Sequence, residues 1–149
     1  MTNGQLIYGA ESGEHKAFHV RDGYGLVMLK AVGIERGIIT GRRSNMVDKR
    51  MAELGIEHVY QGVSDKRAAL ISILDAIDTA PENVCYVGDD EPDVPVMEFV
   101  GLPIAVADAS ADVRRVAVWT TSHVGGRGAV REVCDRLFVA NQPPNGGAA

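Results

Sequence analysis

The sequence predicts an α/β fold, in which helices cover both faces of a doubly wound parallel sheet. Short apolar runs alternate with helix-like patterns along most of the chain, and polar residues suited to phosphate follow several of those runs directly. Strands and helices that alternate at this spacing form parallel sheets, and ligands bind at the carboxyl ends of the strands. An N-terminal β-hairpin is expected before this unit.

The individual elements follow from apolar periodicity and from capping residues. A hairpin with a Gly-containing loop is predicted to join segments 6–8 and 17–20. Asp22 is expected to cap a first helix that closes at Gly33. Later strands are predicted at 34–39, 56–60 and 84–87, and helices are predicted from Ser44 to Gly55 and from Asp65 to a break at Pro81, with further βα units through Phe138.

Composition narrows the class of protein. The 149 residues, 46% hydrophobic and 23% charged, fit one domain over residues 1–139, followed by a disordered tail at 140–149. A net charge of −5 without a long basic run argues against a nucleic-acid partner. No apolar stretch approaches the roughly 18 residues of a membrane span, so no membrane partner is expected. Two cysteines within apolar runs favour a reducing, cytoplasmic compartment over a disulfide scaffold.

Two predicted strand ends carry residues that can bind an anion. Thr40 and Gly41 offer a hydroxyl and backbone N–H groups, although the sterics of a strand-to-helix turn explain the same residues. Arg42 could add a bidentate phosphate contact. Lys66 lies in the first turn of a predicted helix, where a cation opposes the helix dipole unless an anion neutralises it. A solvated lysine is the alternative.

A cluster of carboxylates follows the apolar run at 84–87. Asp89, Asp90 and Asp93 lie within five residues, and they repel one another unless a cation is present. Hard oxygen donors of this kind suit Mg²⁺. The alternative is that Asp90 or Asp93 caps the start of a helix.

Zinc and dinucleotide binding are not indicated. The four histidines include no pair at helical metal spacing, and no Cys-x-x-Cys occurs. The glycine-rich segment 125–128 does not follow a strand, as a dinucleotide-binding loop would. It is either a flexible basic flap or a turn before a helix that starts near Ala129.

Taken in order, these motifs resemble one family, the 3-deoxy-D-manno-octulosonate 8-phosphate phosphatases of the haloacid dehalogenase-like superfamily. The resemblance extends from Met1 to about Phe138. The matching segments are F-H-V-R-D-G-Y-G from Phe18, I-I-T-G-R from Ile38, Y-Q-G from Tyr60 leading to Lys66, Gly88 to Asp93 with Val96-Met97, A-V-A-D-A from Ala105, and G-G-R-G-A-V-R-E from Gly125.

The resemblance implies Mg²⁺-dependent hydrolysis of 3-deoxy-D-manno-octulosonate 8-phosphate in lipopolysaccharide synthesis, by a protein without a large cap domain. Thr40 would hold the phosphoryl group, and Lys66 would neutralise phosphate and nucleophile. Asp89 would bind the metal, supported by Asp90 and Asp93. The implied substrate contacts are His19, Val20, Arg21, Asp22, Gly23, Arg42, Arg50 and Lys66.

The resemblance also implies a homotetramer. In the family the hairpin packs subunits together, and the glycine-rich tail caps a neighbouring site. Arg127 would then contact the substrate of a neighbouring subunit.

The sequence departs from the family pattern at its start. Family members carry a D-x-D-G-V segment before the residues that match 1–4; its first Asp attacks phosphorus and its second acts as acid and base. Without that segment, strands beside the central position are expected to have unpaired backbone groups.

Two explanations of this departure remain open. In the first, the sequence starts at an internal Met of a longer phosphatase. In the second, the protein is a catalytically inactive member that binds a sugar phosphate or acts as an oligomeric scaffold. A phosphoacceptor receiver domain would share the sheet and the acidic cluster. The hairpin and the glycine-rich segment argue against a receiver domain.

Overall fold

The computed structural model describes residues 1–9 and 13–142, and strands and helices alternate through them as the sequence predicts. The strands are β1 (Ile7–Gly9), β2 (Gly13–His15), β3 (Gly37–Thr40), β4 (His58–Gln61), β5 (Cys85–Gly88), β6 (Leu102–Ala105) and β7 (Trp119–Thr120). The α-helices are α1 (Val20–Ala31), α2 (Asn45–Glu53), α3 (Lys66–Ile77), α4 (Val94–Met97), α5 (Ala111–Val116) and α6 (Ala129–Ala140). The α/β fold class is therefore confirmed.

The parallel strands form two ladders. β3 pairs with β4, and their last residues, Thr40 and Gln61, are partners. β5, β6 and β7 form a second parallel sheet in that order, and no ladder joins β3 to β5 among the described strands. The two ladders nevertheless share a core, because Ile39 of β3 and Tyr86 of β5 pack against one buried cluster formed by Leu70, Leu74, Val96 and Val100.

The hairpin forms, but its second strand lies earlier in the chain than predicted. β1 and β2 are antiparallel, with Tyr8 opposite Glu14, and residues 10–12 of the loop lie outside the described part of the chain. Residues 17–20 do not form the second strand. Phe18 instead packs against the buried cluster around Met51, and α1 already begins at Val20.

Asp22 has a different structural role from the predicted one. The residue at the N-cap of α1 is His19, so Asp22 lies inside the first turn of that helix. Its side chain is fully buried, and its Oδ1 accepts the backbone N–H of Arg131, in the first turn of α6, at 3.0 Å. The N-cap of α6 is Gly128, which has no side chain to offer, so Asp22 satisfies this N–H from a neighbouring helix.

Glycines end α1 and α2 as predicted. Gly33 and Gly55 have φ of 75° and 63°, in the left-handed region. In both cases the N–H of the next residue bonds to a carbonyl in the last turn of the helix, at 3.1 and 3.0 Å. This geometry is a Schellman motif, and it explains why glycine is needed at each position.

Capping at the start of the next helices is confirmed only in part. Asp65 caps α3, since its Oδ1 accepts the N–H of Ala68 at 2.9 Å. Ser44 occupies the N-cap position of α2, but its hydroxyl makes no capping hydrogen bond.

The predicted tail lies mostly outside the described residues. Ala140 is the last residue of α6, one residue inside the range expected for the tail, and residues 143–149 are not described. Within the described ranges, no helix combines the length and the apolar character needed to cross a membrane.

Candidate active site

The acidic cluster follows β5, and a single 3₁₀ turn at 91–93 holds it in place. Gly88 at the end of β5 leaves room for that turn, because a Cβ there would lie 2.9 Å from the Cβ of Asp93 and 2.6 Å from the sulfur of Met97. Asp90 is the N-cap and accepts the N–H of Glu91 at 2.9 Å. Asp90 and Asp93 form a capping box, in which each side chain accepts a backbone N–H group of the turn. Both residues therefore cap the start of this short helix, as the alternative interpretation of the sequence proposed.

Asp93 is the hub of the cluster, with a side chain only 4% exposed. Its Oδ1 accepts hydrogen bonds from Lys66 Nζ and from the Tyr86 hydroxyl, both at 2.7 Å. Its Oδ2 accepts the backbone N–H groups of Asp89 and Asp90, at 3.1 and 3.4 Å. Burial opposes ionisation, but the hydrogen bonds from Lys66 and Tyr86 outweigh it and hold the pKa of Asp93 below its usual range. Asp93 is therefore an ionised carboxylate whose oxygens are already occupied.

Asp89 lies at the mouth of the cluster, where it is exposed. Protein atoms on its inner side desolvate its carboxylate and, together with the negative charge of Asp93, raise the pKa of Asp89; Lys66 only partly offsets these effects. A carboxylate in this environment gains from a nearby cation.

A metal ion at this position would need Asp89 in particular. Asp93 uses both carboxylate oxygens in the hydrogen bonds above and Asp90 uses Oδ1 in the turn, whereas the oxygens of Asp89 accept no N–H group of the described residues. Within residues 1–9 and 13–142, no three His, Cys, Asp or Glu side chains converge in a geometry that would hold a metal by themselves. The cluster thus fits a cation bound through Asp89 and organised by its neighbours.

Lys66 joins the two ladders at their carboxyl ends. It is the first residue of α3, which follows β4, and it pairs with Asp93, which follows β5. Its side chain is 15% exposed. The solvated-lysine alternative is therefore wrong, because Lys66 is held inside the site by a buried carboxylate.

Thr40 and Arg42 lie after β3, beside the hairpin. The Thr40 hydroxyl accepts the N–H of Arg42 at 3.3 Å, a contact that belongs to the strand-to-helix turn. The Arg42 guanidinium donates to the Tyr8 hydroxyl at 3.2 Å and to the Glu14 carboxylate at 3.4 Å. Arg42 therefore ties the hairpin to the loop that carries Thr40.

The remaining substrate contacts implied by the resemblance surround the start of α1. Val20 and Arg21 are exposed, and His19 and Arg50 are half-buried. Gly23 is buried, and the Arg50 guanidinium lies directly against it. Asp22, as shown above, faces α6 rather than solvent.

The glycine-rich segment forms a turn before α6, which was one of the two alternatives. The backbone of Gly126, with φ of 69°, lies against the backbone of Thr2 and Asn3. The N–H of Gly125 donates to the Asp108 carboxylate at 2.8 Å. Arg127 is exposed on this turn, and its role toward a neighbouring subunit stays a prediction.

Two open depressions lie outside the acidic cluster. One, of about 310 Å³, is near the carboxyl end of β3; it is lined by Arg43, Ser44, Asn45, Asp48, Val59 and Gln61. The larger depression, of about 610 Å³, is lined by residues from the end of α3 and from the loop that leads into the amino end of β5. Ligands of parallel α/β sheets bind at the carboxyl ends of the strands. The larger depression lies at the amino end of β5, so it is not expected to bind the phosphate or the metal.

Sequence reasoning did not identify Tyr86 as a site residue. It is surrounded in the sequence by apolar neighbours typical of a buried strand, which gave no reason to single it out. The one signal in the sequence was the hydroxyl itself, because a buried Tyr hydroxyl usually has a hydrogen-bond partner and therefore points to a polar group nearby.

Known proteins share this fold and much of this sequence. The family model of the haloacid dehalogenase-like hydrolases matches residues 55–133, which include Lys66 and the acidic cluster. The class that the fold and site define is therefore the haloacid dehalogenase-like hydrolases.

Individual relatives narrow the class to one family. The 3-deoxy-D-manno-octulosonate 8-phosphate phosphatase of Escherichia coli (strain K12) is 54% identical over 136 residues, which cover 91% of this chain and 72% of the relative. The phosphatase of the same name from Yersinia pestis is 47% identical over 146 residues, 98% of this chain and 78% of the relative. The chain belongs to the 3-deoxy-D-manno-octulosonate 8-phosphate phosphatase family, which confirms the resemblance.

A solved structure gives the same result. The Moraxella catarrhalis 3-deoxy-D-manno-octulosonate 8-phosphate phosphatase, crystallised with a magnesium ion, a phosphate ion and a KDO molecule, aligns with a TM-score of 0.90 and 44% identity. The alignment covers 95% of this chain and 80% of that one. These comparisons favour a phosphatase over the catalytically inactive alternative.

Proposed function

We propose that this protein hydrolyses the phosphate ester of 3-deoxy-D-manno-octulosonate 8-phosphate, releasing the free sugar acid and inorganic phosphate. The observation that carries the proposal is the Lys66–Asp93–Asp89 arrangement at the carboxyl ends of the strands, in a chain 54% identical to the E. coli enzyme of that name. The proposed place is lipopolysaccharide synthesis in the cytoplasm. Two free thiols, Cys85 and Cys134, suit a reducing compartment.

The proposed cofactor is Mg²⁺, held by Asp89. This carboxylate is exposed, lies beside a second negative charge and has the hard oxygen atoms that Mg²⁺ prefers. When bound, the ion supplies positive charge that stabilises a phosphoryl group during transfer. Asp90 and Asp93 support Asp89 through the capping box, which fixes the backbone of the turn.

The protein's own residues would bind and neutralise the phosphoryl group. Lys66 gives one N–H to Asp93, and an ammonium group has three, so further donors remain for phosphate. The Thr40 hydroxyl, at the end of β3, would hold a phosphoryl oxygen. These residues bind, position and neutralise; none of them is proposed as the nucleophile.

Recognition of the sugar would come from the residues around the hairpin and the start of α1. Arg21, Arg42 and Arg50 suit an anionic, hydroxylated ligand because guanidinium groups bind carboxylates and phosphates through paired hydrogen bonds. We propose these three, with His19, Val20 and Gly23, as the substrate contacts. For Asp22, which is buried, we propose an indirect role through the docking of α1 on α6.

The assembly that we propose is a homotetramer built on the hairpin and α1. These elements expose large apolar side chains, and exposed apolar patches mark interaction surfaces. Leu6, Ile7 and Tyr8 lie on the hairpin segment, and Val20, Tyr24 and Val27 are spaced to share a face of α1. In the tetramer, Arg127 would contact a neighbouring subunit's substrate.

The test is phosphate release from 3-deoxy-D-manno-octulosonate 8-phosphate by untagged protein purified from its native source. Release that requires Mg²⁺ and stops with EDTA is expected, with slower release from glucose 6-phosphate. Binding of the sugar phosphate without release would contradict the proposal. The intact mass, compared with 15.9 kDa, belongs to the same experiment. An excess of about 1 to 3 kDa would correspond to one further strand and its flanking residues.

A further inference from the structure

We propose that Tyr86 is a positioning residue for Lys66 and acts through the Asp93 carboxylate that the two side chains share. The inference rests on the proposed phosphatase function, since it concerns how the phosphate-binding lysine is directed. Tyr86 itself would touch neither the substrate nor the metal.

Packing and hydrogen bonding both hold Tyr86 in place. Its ring, on β5, packs against two buried clusters, one containing Leu70 and Val96 and the other containing Met97 and Ala105. Its hydroxyl donates to Asp93 Oδ1 at 2.7 Å. A ring held on two sides leaves the hydroxyl little freedom to find another partner.

The geometry limits how Lys66 can bind Asp93. A carboxylate oxygen accepts about two hydrogen bonds, and Asp93 Oδ1 receives one from Tyr86 and one from Lys66. Oδ2 is occupied by the backbone N–H groups of Asp89 and Asp90. Because Tyr86 fills one of the two positions on Oδ1, Lys66 can approach Asp93 only from the other, so the direction of its ammonium group is fixed and its remaining N–H groups stay available for an anion.

Removing the phenol hydroxyl would open one acceptor position on Asp93 Oδ1. The Lys66 N–H that bonds to Oδ1 would then be free to move to that position, which turns the ammonium group toward the vacated space and away from the direction in which it faces phosphate. The consequence is weaker anion binding without loss of the lysine or of its charge.

The experiment compares Tyr86→Phe with Tyr60→Phe in the full chain. Phe keeps the ring and its packing, and the Tyr60 hydroxyl on β4 makes none of the hydrogen bonds found among the described residues. Inorganic phosphate is titrated into each protein in the presence of Mg²⁺ by calorimetry. We expect the Kd for phosphate to rise about fivefold in Tyr86→Phe, which is smaller than the effect of losing a whole charge-assisted hydrogen bond. In Tyr60→Phe the Kd should stay within about twofold of the wild-type value.

A double-mutant cycle separates positioning from a merely structural role. Phosphate binding by Lys66→Ala is expected to be weaker, and adding Tyr86→Phe in that background should change the Kd less than about twofold. An equal loss in both backgrounds would overturn the proposal, because the hydroxyl would then act independently of Lys66. Unchanged affinity in Tyr86→Phe would overturn it too.

Failure of the inference can be told apart from failure of the proposed function. Wild-type protein that binds phosphate, shows the coupling between Tyr86 and Lys66, but releases no phosphate from the sugar phosphate would contradict only the proposed function. Wild-type protein that releases phosphate, with the same Kd in Tyr86→Phe, would contradict only the inference.

Discussion

At the scale of single residues, the site is organised by which carboxylate oxygens are already occupied. Asp93 receives four hydrogen bonds and has no free position, whereas the Asp89 carboxyl group beside it is exposed. Two carboxylates four residues apart therefore have different tasks. Asp93 fixes the lysine and the turn, and Asp89 is open to the proposed cation.

Replacing Asp89 by Asn should abolish Mg²⁺-dependent phosphate release. The amide removes the negative charge that would hold the ion while keeping the size of the side chain. Turnover by the native-source protein and its Asp89→Asn variant is measured across a Mg²⁺ titration, with Asp75→Asn on the exposed face of α3 as the matched control. Full turnover in Asp89→Asn would remove this residue from the metal site.

Replacing Lys66 by Ala should impair both substrate binding and turnover. The ammonium group is expected to contact phosphate in the ground state and in the transition state, so we expect KM to rise and kcat to fall, together by about 100-fold in kcat/KM. Steady-state kinetics on Lys66→Ala and on Lys30→Ala, at the exposed end of α1, provide the measurement. An unaltered KM with full kcat would exclude the proposed role.

At the scale of elements, the turn before α6 is fastened to that helix by Glu132. The carboxylate accepts the backbone N–H groups of Ser122 and His123 at 2.9 and 3.2 Å, and the His123 Nδ1–H at 2.8 Å. The side chain of Glu132 is only 14% exposed. The loop that contains Arg127 is thereby held at both ends, by Glu132 on one side and by the start of α6 on the other.

The stability of this attachment should depend on pH. Burial opposes ionisation of Glu132, but the hydrogen bonds from the His123 ring and the two N–H groups outweigh it, so the pKa of Glu132 lies below its usual value. A depressed pKa stabilises the folded state above the unfolded-state pKa of about 4.3, and this contribution is lost as the pH falls through the folded-state pKa.

Urea unfolding of the wild type and of Glu132→Gln at pH 7 and pH 3 tests this dependence. The wild type should be more stable than Glu132→Gln at pH 7, and the difference should shrink at pH 3, because protonation of Glu132 below its unfolded-state pKa removes part of this contribution. Glu57→Gln, at an exposed position, serves as the control. A stability difference that stays constant between the two pH values would contradict the prediction.

At the scale of the whole molecule, two parallel ladders are held together by a shared core, and no strand pairing joins them among the described residues. Residues of α3 and α4, with Val100 just after α4, form the buried cluster on which β3 and β5 both pack. The Lys66–Asp93 pair connects the same two regions at the site. The integrity of the active site thus depends on packing between ladders. Apolar surface remains exposed elsewhere, on the hairpin and α1.

An aspartate on the exposed face of α1 should break the proposed homotetramer. Val27 is 42% exposed on this helix, and a charge buried between subunits would be costly. Sedimentation equilibrium of the wild type should give four copies, and Val27→Asp should give smaller species that remain folded by circular dichroism. Val139→Asp, near the end of α6, is the control. A monomeric wild type, or a tetrameric Val27→Asp, would contradict the assembly.

The sequence by itself determined the features that depend on neighbouring residues. Apolar periodicity predicted the alternation of strands and helices, Gly33 and Gly55 marked helix ends, and Asp65 marked a helix start. The sequence also predicted that Lys66 and Asp89 follow strands and lie near one another, because the carboxyl ends of parallel strands meet at one edge of the sheet.

The tertiary structure alone decided the contacts between residues distant in the chain. Asp22 was expected to cap its own helix, but it satisfies the N–H of Arg131, 109 positions later. Tyr86 looked like an ordinary core residue until the fold placed its hydroxyl on Asp93, beside Lys66. Local signals specify backbone conformation, whereas the partner of a buried polar group depends on which elements pack together, and no short segment encodes that choice.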